Sequence, residues 1–333
     1  MALPAFARTR LGFFSFLVTF SLALGLVLSP DRAQAGSDFP LSSSESAPQK
    51  IKPGKAYLRV LSYNIKGLPS LINSYKKSRF PIIGQMLKER RKNGTAPDIV
   101  LLQESFISPT HVIQTISGYP HIANGPGKSG VTADGEKYSK LLTSGIFIMS
   151  EHPFVAEQTT TFPKKMCATW DCLANKGAQM VKVRVPNIPF DIWILNTHSQ
   201  AEPPHEAVRE NQFKWINNFA RSNFDYNKPY EALLFGGDIN SSPERPSFSF
   251  VRDLVDVTSV GEVCMSPRTD CVVDKKADPK WVLQLSQDQL FYRSGHKVKI
   301  RPMTFERNFT EMHKGKMLSD HLGYEVLFEI SWE

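Results

Sequence analysis

The chain has 333 residues, with 40 Lys+Arg against 32 Asp+Glu and 41% hydrophobic residues. That length suits one large domain or two small ones, and strand and helix signals run on after residue 55 without a linker, which argues for one. The formal net charge of +8 favours phosphate-bearing partners, nucleic acid or an anionic membrane surface, about as well as it favours simple solubility. The absence of GxSxG, a Walker loop and HExxH removes the commonest serine-hydrolase, P-loop and zincin chemistries.

The first segment reads as a targeting signal. Arg8 and Arg10 precede an apolar run from Leu11 to Leu28, and Ala33-Gln34-Ala35 is a small-x-small cleavage site. Residues 1–35 are therefore predicted to be a signal peptide cut before Gly36, with an uncleaved anchor as the alternative. No cysteine follows the run, which argues against a lipid anchor. Residues 36–55 are rich in Ser, Pro and Lys and read as a disordered lead-in, leaving 56–333 as the folded domain. Losing the leader's three arginines and one aspartate lowers the net charge from +8 to +6. Export into an oxidising compartment, outside a bacterium or in a eukaryotic lumen, follows.

Along the domain, apolar runs end on polar residues. Leu58 to Tyr63 stops at Asn64, and Asp98 to Gln103 stops at Glu104. Between them Pro81 opens a helical stripe of Ile82, Ile83, Met86, Leu87 and Arg90, closed by Asn93-Gly94. Residues 121–140 read as loop. Gly145 to Ser150 is a short buried strand. Gly177 to Val185 alternates, with Val181, Val183 and Val185 on one face. Phe190 to Leu195 stops at Asn196-Thr197-His198. His205 to Phe219 carries a helical stripe through Val208, Gln212, Trp215, Ile216 and Phe219. Leu233 to Gly237 stops at Asp238-Ile239-Asn240. Residues 262–280 read as loop, and Ser319-Asp320-His321 stands before the run Leu322 to Ile330. Strands spread over the whole chain with helices between them predict an α/β (α+β) fold of two sheets packed face to face under helices.

The four cysteines, Cys167, Cys172, Cys264 and Cys271, all lie in the exported part. Three pairings exist, of which Cys167–Cys172 and Cys264–Cys271 are the simplest. Zinc is disfavoured because the spacings lack accompanying histidines.

The strand ends carry the chemistry. Asn, Asp and Glu oxygens are hard ligands suited to magnesium, manganese or calcium. Glu104 is the first choice, because an unpaired carboxylate at the end of an apolar strand is costly to desolvate. Period two would put Asp238 and Asn240 on one side of an extended chain, with Gly236 and Gly237 leaving room for a backbone or ligand. The competing reading is an Asx turn before Ser241-Ser242-Pro243. His198 and His321 are the candidate proton-transfer groups, and Asp288 is a candidate to hold one imidazole in the right tautomer.

In this order, Ser62-Tyr63-Asn64, Gln103-Glu104, Asn196-Thr197-His198, Gly237-Asp238-Ile239-Asn240, Asp288 and Ser319-Asp320-His321 resemble the motifs of the endonuclease/exonuclease/phosphatase superfamily, which has the fold of pancreatic-type deoxyribonuclease. The resemblance runs from about Tyr57 to Phe328 and implies a four-layer sandwich with Mg²⁺-dependent phosphoester chemistry. Within it the chain looks most like the neutral sphingomyelinases. Tyr63-Asn64-Ile65-Lys66-Gly67-Leu68-Pro69, Asp171-Cys172-Leu173-Ala174-Asn175-Lys176-Gly177 and Asn196-Thr197-His198-Ser199-Gln200-Ala201 carry that likeness. Two departures stand out: Ser199 replaces a leucine, and Lys66 stands where an aromatic residue is frequent.

The resemblance implies hydrolysis of sphingomyelin to ceramide and phosphocholine at a membrane surface, by a monomer. Glu104, Asn64 and Asp320 would serve Mg²⁺, with Mn²⁺ or Co²⁺ as substitutes. His321 would be the base oriented by Asp288. Asp238 and Asn240 would position water and phosphate, and His198 would assist the leaving group. Lys176 and Asp171 would serve substrate binding. A secreted deoxyribonuclease acting on DNA is the alternative. The inositol phosphatase reading is weaker, because no Trp-x-Asp-Arg surrounds Asp288.

Overall fold

The computed structural model describes residues 51–69 and 78–333, so the expected signal peptide and most of the lead-in lie outside the described residues. The described residues fall within one compact unit, Lys50–Glu333. In chain order, β1 (Gly54–Asn64), α1 (Arg79–Lys92), β2 (Ile99–Gln103), α2 (Val112–Ser117) and β3 (His121–Asn124) come first. A small hairpin, β4 (Ser129–Val131) and β5 (Lys137–Ser139), leads to β6 (Phe147–Ser150), β7 (Phe154–Thr161), β8 (Gly177–Val183), β9 (Ile192–His198) and α3 (Glu206–Asn223). Then follow β10 (Leu233–Asp238), α4 (Pro246–Val255), β11 (Thr258–Ser259), α5 (Val260–Cys264), β12 (Val272–Val273), β13 (Asp288–Arg293) and β14 (Val298–Asn308). The hairpin β15 (Met312–His313) and β16 (Lys316–Met317) precedes β17 (Gly323–Trp332).

Two mixed sheets result, in the orders β12-β14-β17-β1-β2-β6-β3 and β11-β13-β10-β9-β8-β7. Alternation along their strands builds three cores. Leu58, Val60, Ile99 and Leu101 of the first sheet meet Val181, Val183, Ile192, Ile194, Leu234 and Leu290 of the second. The intervening residues face outward. Leu61, Tyr63, Val100 and Leu102 pack with Phe80, Ile83 and Leu87 of α1. Trp193, Leu195, Leu233 and Phe235 pack with Phe213 and Ile216 of α3 and Phe248 and Val251 of α4. Apolar side chains on both faces explain why these strands read as unbroken apolar runs. The order helix, sheet, sheet, helix is the expected four-layer sandwich.

Both expected disulfides form, Cys167–Cys172 and Cys264–Cys271. The two segments read as loops need correction. Residues 121–140 hold β3 and the β4–β5 hairpin, and 262–280 hold the end of α5 and β12. Most of these strands have only two or three residues, and β4 is exposed throughout, so no apolar periodicity marks them. Among the described residues no helix is long and apolar enough to cross a membrane.

The register fixes where the polar ends go. β1 runs parallel to β2, with Asn64 beside Gln103. β10 runs parallel to β9, with Asp238 beside His198. β13 runs antiparallel to β10, which sets the start of β13, Asp288, beside the end of β10, Asp238. β17 is antiparallel to β1, with Tyr324 opposite Ser62, so the loop before β17 arrives where β1 ends.

Candidate functional site

The strand ends converge on a buried group of carboxylates and imidazoles. Glu104, His198 and Asp238 present ligand atoms within 4.8 Å of one another, and Asp238, Asp288 and His321 form a second such trio. Asn64 joins the first trio: its amide Nδ2 donates to Glu104 Oε1 at 3.1 Å and to Asp238 Oδ2 at 2.8 Å. Its Oδ1 accepts the Lys66 backbone N–H at 2.9 Å. The backbone donor fixes the amide's orientation, so Asn64 faces the carboxylates with nitrogen, as a bridge, and its oxygen is engaged elsewhere.

His321 Nδ1 lies 2.6 Å from Asp288 Oδ2, and Nε2 lies 3.9 Å from Asp238 Oδ2. Burial pulls the imidazole's pKa down, but the Asp288 carboxylate, with Asp238 and Asp320 behind it, raises it to about 11. Burial and the neighbouring Lys176 push His198 the other way, to about 4. The two histidines are thus split into a cationic and a neutral one. Burial, reinforced by the charge of Asp238 against the Asn64 hydrogen bond, raises Glu104 to about 7. Burial also works against the Asp238 anion, yet the two imidazoles and the Asn64 and Asn240 hydrogen bonds hold its pKa below the ordinary value.

Lys176 is buried, and its ammonium has three acceptors: Asp171 Oδ2 at 2.7 Å, Ser199 O at 2.8 Å and His198 Nε2 at 3.2 Å. A proton directed at Nε2 leaves the imidazole hydrogen on Nδ1. Asp171 also accepts the Ala201 N–H at 2.7 Å. The Asp171–Lys176 pair singled out in the sequence therefore abuts the cluster through His198.

Two expectations change. Asn240 does not continue an extended strand beside Asp238. β10 stops at Asp238, Asn240 has φ +49°, and its N–H bonds Asp238 Oδ1 at 3.0 Å. The Asx turn is present, and the Asn240 Nδ2 donates to Ser199 O at 3.1 Å. Gly237 serves its neighbour strand, not a ligand: it has φ +143°, and a Cβ there would lie 2.1 Å from Thr197 O. Asp320 joins neither trio and is ion-paired with Lys66.

Ser319, named only as part of a motif, is a tie the sequence did not signal. Its Oγ donates to Asn64 O at 2.7 Å and accepts the His321 N–H at 3.3 Å. Lys66 and Glu104, like Asn240, adopt left-handed backbone, φ +51° and +56°. Such conformations cost of order 1 kcal/mol or more in non-glycine residues and cluster at functional sites.

A divalent metal ion fits these residues. Glu104 Oε2 is buried without a hydrogen-bond partner, a costly state for a carboxylate oxygen, and the donors are hard oxygens plus imidazole.

No family model matches the chain. The fold is the deoxyribonuclease-like α/β sandwich, shared with beta toxin from Staphylococcus aureus at a TM-score of 0.59 and 18% identity, over 81% of this chain and 99% of that one. A beta toxin variant solved with bound magnesium ions gives 0.58 at 17%, over 81% and 99%. TDP2 of D. rerio, complexed with a single-strand DNA product, gives 0.56 at 15%, over 82% and 99%. In sequence the chain is similar to sphingomyelinase C 2 of Leptospira interrogans, 26% identical over 60% of this chain and 33% of that protein. It is also similar to sphingomyelin phosphodiesterase 3 of Mus musculus, 32% identical over 30% of this chain and 17% of that protein. The chain thus spans a third or less of these relatives' length.

Proposed function

We propose that this chain is an exported, divalent-metal-dependent phosphodiesterase of the sphingomyelinase type, hydrolysing sphingomyelin to ceramide and phosphocholine. The observation that carries the reading is the pair of adjoining trios, one with an unsatisfied carboxylate oxygen for a cation and one built as a base with its orienter. The lipid substrate is supported by the sphingomyelinase relatives and by the Asp171–Lys176 pair set against His198. Trp170, 70% exposed beside Asp171, supplies an apolar side chain of the kind a membrane-borne substrate requires. Phe248 and Phe291 are core and have no such part.

Glu104 and Asp238, flanked by His198, would hold Mg²⁺. Bound there, the ion supplies Lewis-acid stabilisation of charge on phosphate and leaving oxygens. His321 takes the proton of the attacking water at Nε2, while Asp288 fixes the ring by accepting from Nδ1–H. A divalent ion beside Asp238 would lower the His321 pKa against the pull of Asp288, favouring the neutral imidazole that a base requires. Asn64 spaces the two metal-binding carboxylates, and Asn240 braces the His198 loop through Ser199. The departing alkoxide, a poor leaving group, would take its proton from the Lys176 ammonium by way of His198 Nε2, 3.2 Å away, leaving Lys176 neutral. The same centre would serve a monomer exported by a cleaved residues 1–35 leader.

The test is a substrate panel of sphingomyelin, phosphatidylcholine and plasmid DNA, each with Mg²⁺ and with EDTA. Phosphocholine release from sphingomyelin is expected, abolished by EDTA and lowered at least ~100-fold in a folded His321→Ala variant. DNA nicking without phosphocholine release overturns the lipid reading in favour of the nuclease one.

A further inference from the structure

Helix α3 turns two polar side chains inward, Arg209 and Gln212, both fully buried and three residues apart on one face. Arg209 donates to the carbonyls of Gln200, Glu202 and Pro203 at 3.1, 2.7 and 3.0 Å. Gln212 uses both ends of its amide. Its Oε1 accepts the Gln200 N–H at 2.7 Å, and its Nε2 donates to the Met166 carbonyl at 2.8 Å. An amide so engaged offers an acceptor to one segment and a donor to the other. Arg209 holds the segment after His198, whereas Gln212 ties that segment to the start of the Cys167–Cys172 loop.

The two segments are laced further. The Gln200 side chain accepts the Ala168 N–H at 2.8 Å and donates to the Ala168 carbonyl at 3.2 Å. Asp171 Oδ2 accepts the Ala201 N–H at 2.7 Å. The same carboxylate oxygen holds the Lys176 ammonium at 2.7 Å, and that ammonium lies 3.2 Å from His198 Nε2. The disulfide joins cysteines only five residues apart. Met166, next to the first cysteine, and Asp171, next to the second, are therefore coupled. Fixing Met166 on α3 fixes Asp171, and Asp171 fixes the donor that faces His198.

Resting on the reading that Lys176 supplies the leaving group's proton by way of His198, we propose that Gln212 is a positioning residue for that proton. Its amide sets the Cys167–Cys172 loop against the loop after His198, so that Asp171 keeps Lys176 aimed at Nε2. Gln212 itself acts only through these loops, and its loss slows the step that needs the proton.

Gln212→Met keeps the length and apolar packing of the side chain and removes both hydrogen bonds. With the full chain and Mg²⁺, kcat for sphingomyelin is expected to fall at least ~10-fold in this variant, with KM nearly unchanged. Turnover of the nitrophenyl ester of phosphocholine, whose leaving group departs without a proton, is expected to match the native chain. Adding Gln212→Met to Lys176→Met is expected to slow sphingomyelin turnover no further, because both act on one proton. Equal losses on the two esters, or additive losses in the double variant, overturn the proposal: the amide then only holds the fold. Hydrogen exchange reads the tie without turnover. The Ala168 and Ala201 N–H groups are expected to exchange faster in Gln212→Met, while β9 and β10 keep their protection. Unchanged exchange at Ala168 and Ala201 overturns the proposal even if neither ester is hydrolysed, a result that by itself removes only the sphingomyelinase reading. If Gln212→Met loses the protection of β9 and β10 as well, Gln200→Met unlaces the same loop from its other side. The same split between the two esters is expected there, and equal losses overturn the proposal.

Discussion

Glu104 sets the terms on which a cation enters. Its carboxyl is held at about 7, against an ordinary value of 4.5, so over that window the folded metal-free chain keeps a proton that the ion must displace. Affinity should then rise with pH and level off above about 7, where Glu104 is already ionised. Between pH 7 and pH 6 the dissociation constant for Mg²⁺ should weaken by up to ~10-fold for the one proton released. Calorimetric titration at both pH values checks this, and Glu104→Gln should lose both the affinity and its slope. A dissociation constant indifferent to pH would show that Glu104 is not the ligand. His198 opposes Glu104 in apo stability. Its depressed pKa makes the unfolded chain bind more protons between about 4 and 6.5, so its contribution grows as pH rises there, while that of Glu104 shrinks between 4.5 and about 7.

At the level of elements, the site depends on strands ending in register. β9 and β10 bring His198 beside Asp238 only if their backbones pack closely, and Gly237 permits that approach. Gly237→Ala places a Cβ 2.1 Å from the Thr197 carbonyl at a backbone angle that alanine rarely adopts. It is expected to cost about 3 kcal/mol, read as a lower urea midpoint, with weakened ion binding because Asp238 moves. An unchanged midpoint would mean the strands have slack there. The loop-like sequence of β4 and β5 shows the opposite limit. Their strands carry no fully buried residue, so they are organised by pairing with each other and by polar ties such as the Lys164–Glu136 ion pair.

At the scale of the whole molecule, the central core unites the two sheets, with Leu58 and Val60 of β1 and Ile192 and Ile194 of β9 in one cluster. Neither sheet can bury that face alone. Residues 51–333 should therefore unfold as a unit, with far-ultraviolet circular dichroism and tryptophan fluorescence giving coincident transitions in denaturant. Separated transitions would mean that one sheet outlives the other. Cooperative unfolding also makes the centre, which draws Asn64 and Glu104 from one sheet and His198, Asp238 and Asp288 from the other, sensitive to any loss in that core.

Much of this was legible in the residues. Apolar runs closing on Asn64, Glu104, His198 and Asp238 followed from alternation and from the cost of burying a bare carboxylate, and the four-layer order followed from motifs in sequence. Short-range patterns were readable to a degree: Cys167–Cys172 belonged to the simplest of three possible pairings, and that local bridge forms. What the sequence left open were properties that depend on where separate strands meet. The amide of Asn64 turns nitrogen toward Glu104 and Asp238 because a backbone donor claims its oxygen. Asp238-Ile239-Asn240 becomes an Asx turn because β10 ends against β13. Asp320 meets Lys66, 254 residues away in the chain, and not the cluster its neighbour His321 joins. Residue type and spacing determine which groups carry charge and where strands stop. Only tertiary packing decides which charges face each other, because a pairing energy depends on distances of a few ångströms between segments that the sequence places far apart.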